Sequence, residues 1–546
     1  MPEAELQIGL CAIFIKGCFE RSRITVFDVD EFLPETQANR PMPTFAAIDI
    51  GSNSVRLKIA ALNRRRLETI LEDREVTRLG ESVFRAGLLD PRAMEHTVKV
   101  LRRFHREVQQ HGADRVQVVA TSAMRDARNG NAFLQWVRAA TGWQCEVISG
   151  LEEGRLIHLG VMAGSRIKTS PMLLVDLGGG SCELTISVKE NIEKIVSLPL
   201  GAVRLTRGFL LHDPPKKKEL KELRAFVAEE IGRVEREMLR AKVKLTVATS
   251  GTPAALSDMW AARQHKRTTT VPRAGLLELT HELSRMSLEQ RRTVPGVGTR
   301  RAEIIVAGAV VFSELLSRLK LTSFRYLPLG LRDGVLAQMA AEHDQRADLR
   351  TRLVAEREKS VYDVGTHFGV DHRHAERVRT HATRLFQALK AVHGLPAQYE
   401  QYLSAAAMLA EVGSFINRTG RHRHAYYVIV HSELFGFSVQ QRRLIAAITR
   451  YVGGSRPTLQ SRPVRVLDPK DQPLVERAVL LLRMARALEQ GRRGAVKGIR
   501  VRVEADRVLI VVDEKTTGAE LEIWALRKER AYFRNVFGRD LLCAEP

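Results

Sequence analysis

A chain of 546 residues, 44% apolar and 27% charged, has room for about three or four domains and the balance of a globular protein. No apolar run approaches the ~18 residues of a membrane span, "IGLCAIFIKGC" is too short for a signal peptide and lacks a small-residue cleavage site, and five cysteines (Cys11, Cys18, Cys145, Cys182, Cys543) without metal spacing exclude a disulfide framework and a zinc site. The formal charge of +23 is uneven, net −3 over residues 1–42 and net +11 over 421–500, a surface that attracts a polyanion; without an RNP-like, zinc-finger or helix-turn-helix signature, no specific nucleic acid partner is expected.

In chain order, residues 1–42 lack periodicity, and "MPTFAAIDIGSNS" from Met42 reads as a more natural start, so the extension is expected to reflect a mis-assigned start codon. The stretch "AAIDIGSNSVRLKIAA" (46–61) is an apolar strand, Asp49, a turn of Gly51, Ser52, Asn53 and Ser54, and a second apolar strand. A helix opens at Asp90-Pro91, a cap and first-turn pair, and is expected to bury Val98, Leu101, Phe104 and Val108. A strand "VQVVA" then leads into "TSAMRDARN" and on to "VISGLEEGR".

The stretch "LLVDLGGGSCELTI" (173–186) repeats the earlier grammar, with Asp176 at a strand end, then Gly178, Gly179, Gly180 and Ser181. Three glycines remove every Cβ, so the turn is expected to reach φ > 0 and present N–H groups to a phosphate. Two such hairpins read as an internal duplication sharing one cleft. No helix follows either turn and no Gly-Lys-Ser/Thr is present, which argues against Rossmann and P-loop folds. A basic helix over about 216–240, "LTVATSGTPAAL" and "FRYLPLGLRDGVL" follow; the chain then reads as helical to about 495 and ends in a β-rich tail, "GIRVRVEADRVLIVV". Alternating β and α followed by α alone implies at least two architectures.

Seven ordered stretches, "AIDIGSNSVRL", "ATSAMRDARN", "VISGLEEGRLIHLGV", "VDLGGGSCEL", "ATSGTPAAL", "PGVGTRRAEIIVAGA" and "LPLGLRDGVL", resemble the exopolyphosphatase and guanosine pentaphosphate phosphatase (Ppx/GppA) family over roughly residues 43–540. The resemblance implies an α/β fold with a duplicated actin-like, sugar-kinase-like (ASKHA) domain pair, at 43–165 and 166–342. An all-α domain at 343–495, similar to histidine-aspartate (HD) phosphohydrolases but with a degenerate metal motif, and a short α+β tail at 496–546 would follow. It also implies a homodimer and, through the nucleotide activity, a link to the stringent response; the scattered cysteines fit a reducing compartment, so cytoplasm is expected, and the lack of a long apolar run points away from a membrane.

Carried onto this sequence, the resemblance makes Glu153 the base that activates water, Glu183 a second functional carboxylate and Arg125 a neutraliser of the transferring phosphoryl group. Phosphate contacts would come from Gly51, Ser52, Asn53, Ser54, Gly178, Gly179, Gly180, Ser181, Ser250, Gly251, Thr252 and Arg301. Asp176 and Asp49 would hold Mg²⁺ or Mn²⁺. Glu152 adjoins Glu153, so the two point in different directions, and Glu152 is expected at the surface. In the helical region, eight of the 16 histidines lie between His367 and His431, yet Ala410-Glu411 stand where His-Asp would be needed, so the region reads as an inactive scaffold kept for binding, with His374, His422 and His424 and the nearby arginines facing anion. The expected function is an exopolyphosphatase releasing orthophosphate from linear polyphosphate. Hydrolysis of guanosine pentaphosphate, a non-catalytic polyanion or nucleotide binder, and a sugar kinase are the alternatives.

Overall fold

Two strands of alternating small and branched apolar residues, β1 (Thr44–Ile50) and β2 (Ser54–Asn63), are buried along most of their length and pair antiparallel, with Asp49 opposite Arg56. In this computed structural model, which describes residues 42–64, 66–344, 348–514 and 518–544, they sit at the heart of a five-stranded sheet. Its order is β3-β2-β1-β4-β5, with β3 at Arg66–Val76, β4 at Arg115–Ala120 and β5 at Cys145–Val147. The expectation for residues 1–42 lies outside the described residues but for Met42.

The second sheet repeats the plan. Strands β6 (Met172–Leu177), β7 (Cys182–Val188) and β8 (Asn191–Leu198) form the antiparallel half, and β9 (Leu245–Thr249) and β11 (Ser323–Tyr326) run parallel to β6, with β10 (Thr270–Pro272) at the edge. The order β8-β7-β6-β9-β11 thus matches β3-β2-β1-β4-β5 strand for strand, and Asp176 opposes Glu183 as Asp49 opposes Arg56. The duplication read from the two hairpins extends to both sheets.

Helix Pro91–Gln110 begins where expected: the Asp90 carboxylate accepts from the N–H groups of Arg92 and Ala93, and Val98, Leu101, Phe104 and Val108 are buried. Two helices lie between the sheets, Gly150–Gly164 and Leu331–His343. Their Leu156, Ile157, Val161, Val335, Leu336 and Met339 pack with Phe45 and Ala47 of β1 and Met172 and Leu174 of β6. They touch backbone to backbone, since a Cβ on Gly334 would fall 1.7 Å from the Leu156 carbonyl oxygen. Helix Leu331–His343 therefore belongs to the packing of both lobes.

From Asp348 to Ala487 the elements are helical. The tail folds as β12 (Val496–Val503), β13 (Arg507–Glu514) and β14 (Asp540–Ala544) with two short helices, and its Val508, Ile510 and Phe533 enter the same apolar core as Leu385, Leu403 and Leu481. No helix among the described residues is long and apolar enough to cross a membrane.

Candidate active site

The two hairpin turns close with the same bond, Gly51 N–H to the Ser54 carbonyl (3.1 Å) and Gly178 N–H to the Ser181 carbonyl (3.0 Å), and both line one cleft of about 620 Å³. Positive φ is not what the glycines provide: Gly178, Gly179 and Gly180 are absent from the positive-φ residues. They serve close approach instead. A Cβ on Gly180 would lie 2.3 Å from Ser122 Oγ and 2.4 Å from the Phe84 ring, and one on Gly179 would lie 3.0 Å from the Ser52 Cβ of the other hairpin. The carbonyls of Gly178 and Gly179 accept from the N–H groups of Ala202, Val203 and Arg204, which seats the turn on a helix start.

Helix Gly150–Gly164 is capped by Ser149, whose Oγ accepts from the Glu152 N–H at 3.1 Å, and its first turn carries Glu153 into the cleft. Glu153 is 6% exposed. Its Oε2 accepts from Arg125 Nη1 at 3.0 Å, and the same guanidinium donates to the Ile148 carbonyl (2.8 Å) and to Ser181 Oγ (3.3 Å). Burial pushes the Glu153 carboxyl up to about 7; Asp176 and Asp49 push the same way and Arg125 opposes them. Arg125 thus holds Glu153 rather than lining the cleft.

Asp49 and Asp176 both line the cleft and are raised by burial, with Asp49 adding repulsion at Asp176. Asp176 Oδ1 accepts from Thr249 Oγ1 at 2.5 Å, and the buried Asp49 Oδ1 has no partner. Glu183 is 1% exposed and sits behind the cleft. Its Oε1 accepts from Ser197 Oγ at 2.8 Å, its Oε2 is unpaired, and burial followed by the Glu153 charge holds it well above the usual carboxylate range. Among the described residues no group of three or more His, Cys, Asp or Glu could hold a metal ion. The two cleft aspartates, with hard oxygen donors, mutual repulsion and an orphaned oxygen, fit a divalent cation.

Ser250 and Gly251 line the cleft. Ser250 adopts φ 75°, ψ −172°, a region costing a non-glycine residue about 1–3 kcal/mol, and its Oγ donates to the Leu177 carbonyl at 2.7 Å. Thr252 corrects the expectation: it is 1% exposed and packs on Gly308, where a Cβ would meet its Cγ2 at 2.6 Å, so it faces the protein rather than phosphate. Glu152 is a second correction. It is not a surface carboxylate but takes two hydrogen bonds, both at 2.8 Å, from the fully buried Arg155.

The same cleft holds Arg56, paired across the strands with Asp49, and Arg74, Arg300, Arg301 and Arg332, of which sequence reading named only Arg301. Arg74 Nε and Nη2 are buried without partners. Burial, then Arg56, Arg300 and Arg332, lowers Arg74 to about 10, and burial, then Arg74 and Arg56, lowers Arg301 to about 9. Crowded, desolvated cations await an anion. Arg204 was also missed; it donates to the Gly180 carbonyl (2.7 Å), to Ser122 Oγ (3.2 Å) and to Asp126, tying the second glycine turn to the first lobe. Arg56 carried a signal, since it follows Asp49 by the same spacing that separates Glu183 from Asp176.

In the helical region Glu411 pairs with Arg492 and Arg486, and Glu489 receives Arg377 Nη1 at 2.9 Å. Guanidinium groups thus occupy the carboxylates nearest His374.

Two family models match the chain: Ppx/GppA phosphatase family over residues 58–343 and Ppx/GppA phosphatase, domain III, over 356–534. The chain is similar to Exopolyphosphatase 1 of Mycobacterium leprae (strain TN), 33% identical over 315 residues, which are 56% of this chain and 92% of the relative. It is equally similar to Exopolyphosphatase 1 of Mycobacterium tuberculosis (strain ATCC 25618 / H37Rv), 33% identical over 316 residues, 56% of this chain and 91% of that one. The crystal structure of an exopolyphosphatase from Cytophaga hutchinsonii superposes with a TM-score of 0.53 at 22% identity, covering 55% of this chain and 98% of that one, a likeness of fold. With both models matched in order around a cleft of this kind, the chain belongs to the Ppx/GppA phosphatase family and is a hydrolase.

Proposed function

We propose that the chain is an exopolyphosphatase, cleaving the terminal phosphoanhydride of linear polyphosphate and releasing orthophosphate. The observation that carries this reading is a single cleft lined by carboxylates, two phosphate-type turns and five arginines. The terminal phosphoryl group sits at the turns, and the phosphates behind it run along the arginines. Glu153 orients and deprotonates the attacking water; a carboxylate titrating near 7 accepts that proton efficiently at neutral pH. Arg125 fixes the Glu153 oxygen that does not face water, and Glu183, its carboxyl raised by burial and by the Glu153 charge, backs the site from behind the cleft. Backbone N–H groups of the turns, with Ser52, Ser54 and Ser181, hold the phosphoryl oxygens in line. Asp49 and Asp176 would hold Mg²⁺ or Mn²⁺, which when bound would neutralise charge on the phosphate oxygens. The helical region is read as an HD-like scaffold without hydrolytic chemistry, supported by the pairing of Glu411 with arginines.

A second reading, hydrolysis of guanosine pentaphosphate, is favoured by Tyr326, which lines the cleft near Arg301 and Arg56, an aromatic face on which a base could stack. Initial rates of orthophosphate release from long-chain polyphosphate and from guanosine pentaphosphate, taken side by side, decide between them. A kcat/KM at least about tenfold higher on polyphosphate is expected; the reverse order assigns the nucleotide, and release from neither refutes both.

A further inference from the structure

The back of the glutamate-bearing helix Gly150–Gly164 is held by a residue from the helical domain. Arg155 is 0% exposed, and its guanidinium donates through Nε and Nη2 to the two Glu152 oxygens (both 2.8 Å), through Nη2 to Gln338 Oε1, and through Nη1 to Glu356 Oε2 at 2.8 Å. Glu356 lies on helix Asp348–His367, beyond both sheets. The next residue on that helix, Arg357, donates to the Gly436 carbonyl (2.8 Å) and Gln401 (2.7 Å), and to Glu342, which also binds Arg115 of β4. Adjacent residues of one helix thus grip the two helices that lie between the sheets.

We infer that Glu356 is a positioning residue for Glu153, acting through Arg155 and Glu152. Glu152 and Glu153 are neighbours on one rigid turn, separated by about 100° of azimuth, so whatever fixes Glu152 fixes the direction in which Glu153 enters the cleft. At Leu156 the helix is pinned by the Gly334 contact. One turn earlier, Gly150 and Gly154 lie against Ser197 and Ile195, and at Glu152 the turn is held by the Arg155 cluster. Without Glu356, the Nη1–H of a guanidinium sealed from water has no acceptor and must draw on Glu152 or Gln338, turning the first helical turn toward the helical domain and Glu153 away from the phosphoryl group. Glu146 and Glu433 also bear on Glu152, and His158 on Arg155; none of them donates to or accepts from Arg155 in place of Glu356.

The inference rests on Glu153 being the residue that acts on water. Its test is steady-state hydrolysis of polyphosphate by the full-length chain. Glu356→Ala lowers kcat by on the order of tenfold with KM within about twofold, and Glu356→Gln, which keeps an oxygen acceptor for the Nη1–H, recovers most of that loss. Should Glu356→Ala not fold, Glu356→Asp, which withdraws the carboxylate by one methylene, is read in the same way. A wild-type kcat in the folded variant, or a rise in KM that accounts for the whole effect, overturns the inference. Glu153→Gln run alongside separates the two levels. Wild-type turnover there removes the reading of the site itself, whereas its loss beside an unaffected Glu356 variant overturns only the positioning role.

Discussion

Arg125→Gln removes one hydrogen bond to Glu153 and the positive charge that opposes its protonation. A hydrogen bond to a charged group contributes about 1.5–3 kcal/mol, and one pKa unit corresponds to about 1.4 kcal/mol. With the Glu153 side chain 8% and the Arg125 side chain 21% exposed, solvent screening is modest, and the loss translates into an upward shift of about 1–2 units. The sign is fixed: a base must be deprotonated to work, so the acid limb of kcat/KM, which reports the free enzyme, moves to higher pH. Below the limb kcat/KM falls by about 10- to 100-fold, each unit being tenfold, while the alkaline plateau is largely kept. The assay is orthophosphate release from polyphosphate between about pH 5.5 and 9.5 at fixed Mg²⁺. An unmoved or lowered limb would refute the reasoning; an unmoved limb with a depressed plateau would return Arg125 to the phosphoryl group.

Gly180→Ala places a methyl group 2.3 Å from Ser122 Oγ and 2.4 Å from Phe84, so the turn must shift. A destabilisation of about 1–3 kcal/mol is expected, read as a lower Tm together with lost turnover; wild-type values for both would show the close approach to be dispensable. Chelation should abolish turnover and Mg²⁺ or Mn²⁺ restore it, with Asp49→Asn raising the Mg²⁺ concentration needed for half-maximal activity by about tenfold or more. Undiminished hydrolysis in metal-free buffer would count against the aspartate pair.

Legibility in the sequence followed the range of the interaction. The two hairpins and their aspartates were readable because strand, turn and strand are local, and comparing them gave the duplication that both sheets display. The same comparison held Arg56, at the offset of Glu183. Arg74 and Arg332 could not be placed, because one comes from β3 and the other from helix Leu331–His343, and only the folded packing brings them to the cleft. Glu152 was misplaced for a related reason: helical geometry separates it from Glu153, but whether that other face meets water or Arg155 and Glu356 depends on distant segments. The glycine turn was located correctly and its cause mistaken, since backbone freedom and close approach leave the same mark in sequence.

The most direct measurement of the central claim is orthophosphate release from polyphosphate by Glu153→Gln, with polymer binding followed on the same preparation. The substitution keeps the shape of the side chain and removes proton acceptance, so turnover should fall by about 10²–10⁴ with affinity nearly unchanged. Turnover at the wild-type rate would contradict the assignment of Glu153 and with it the account of the cleft.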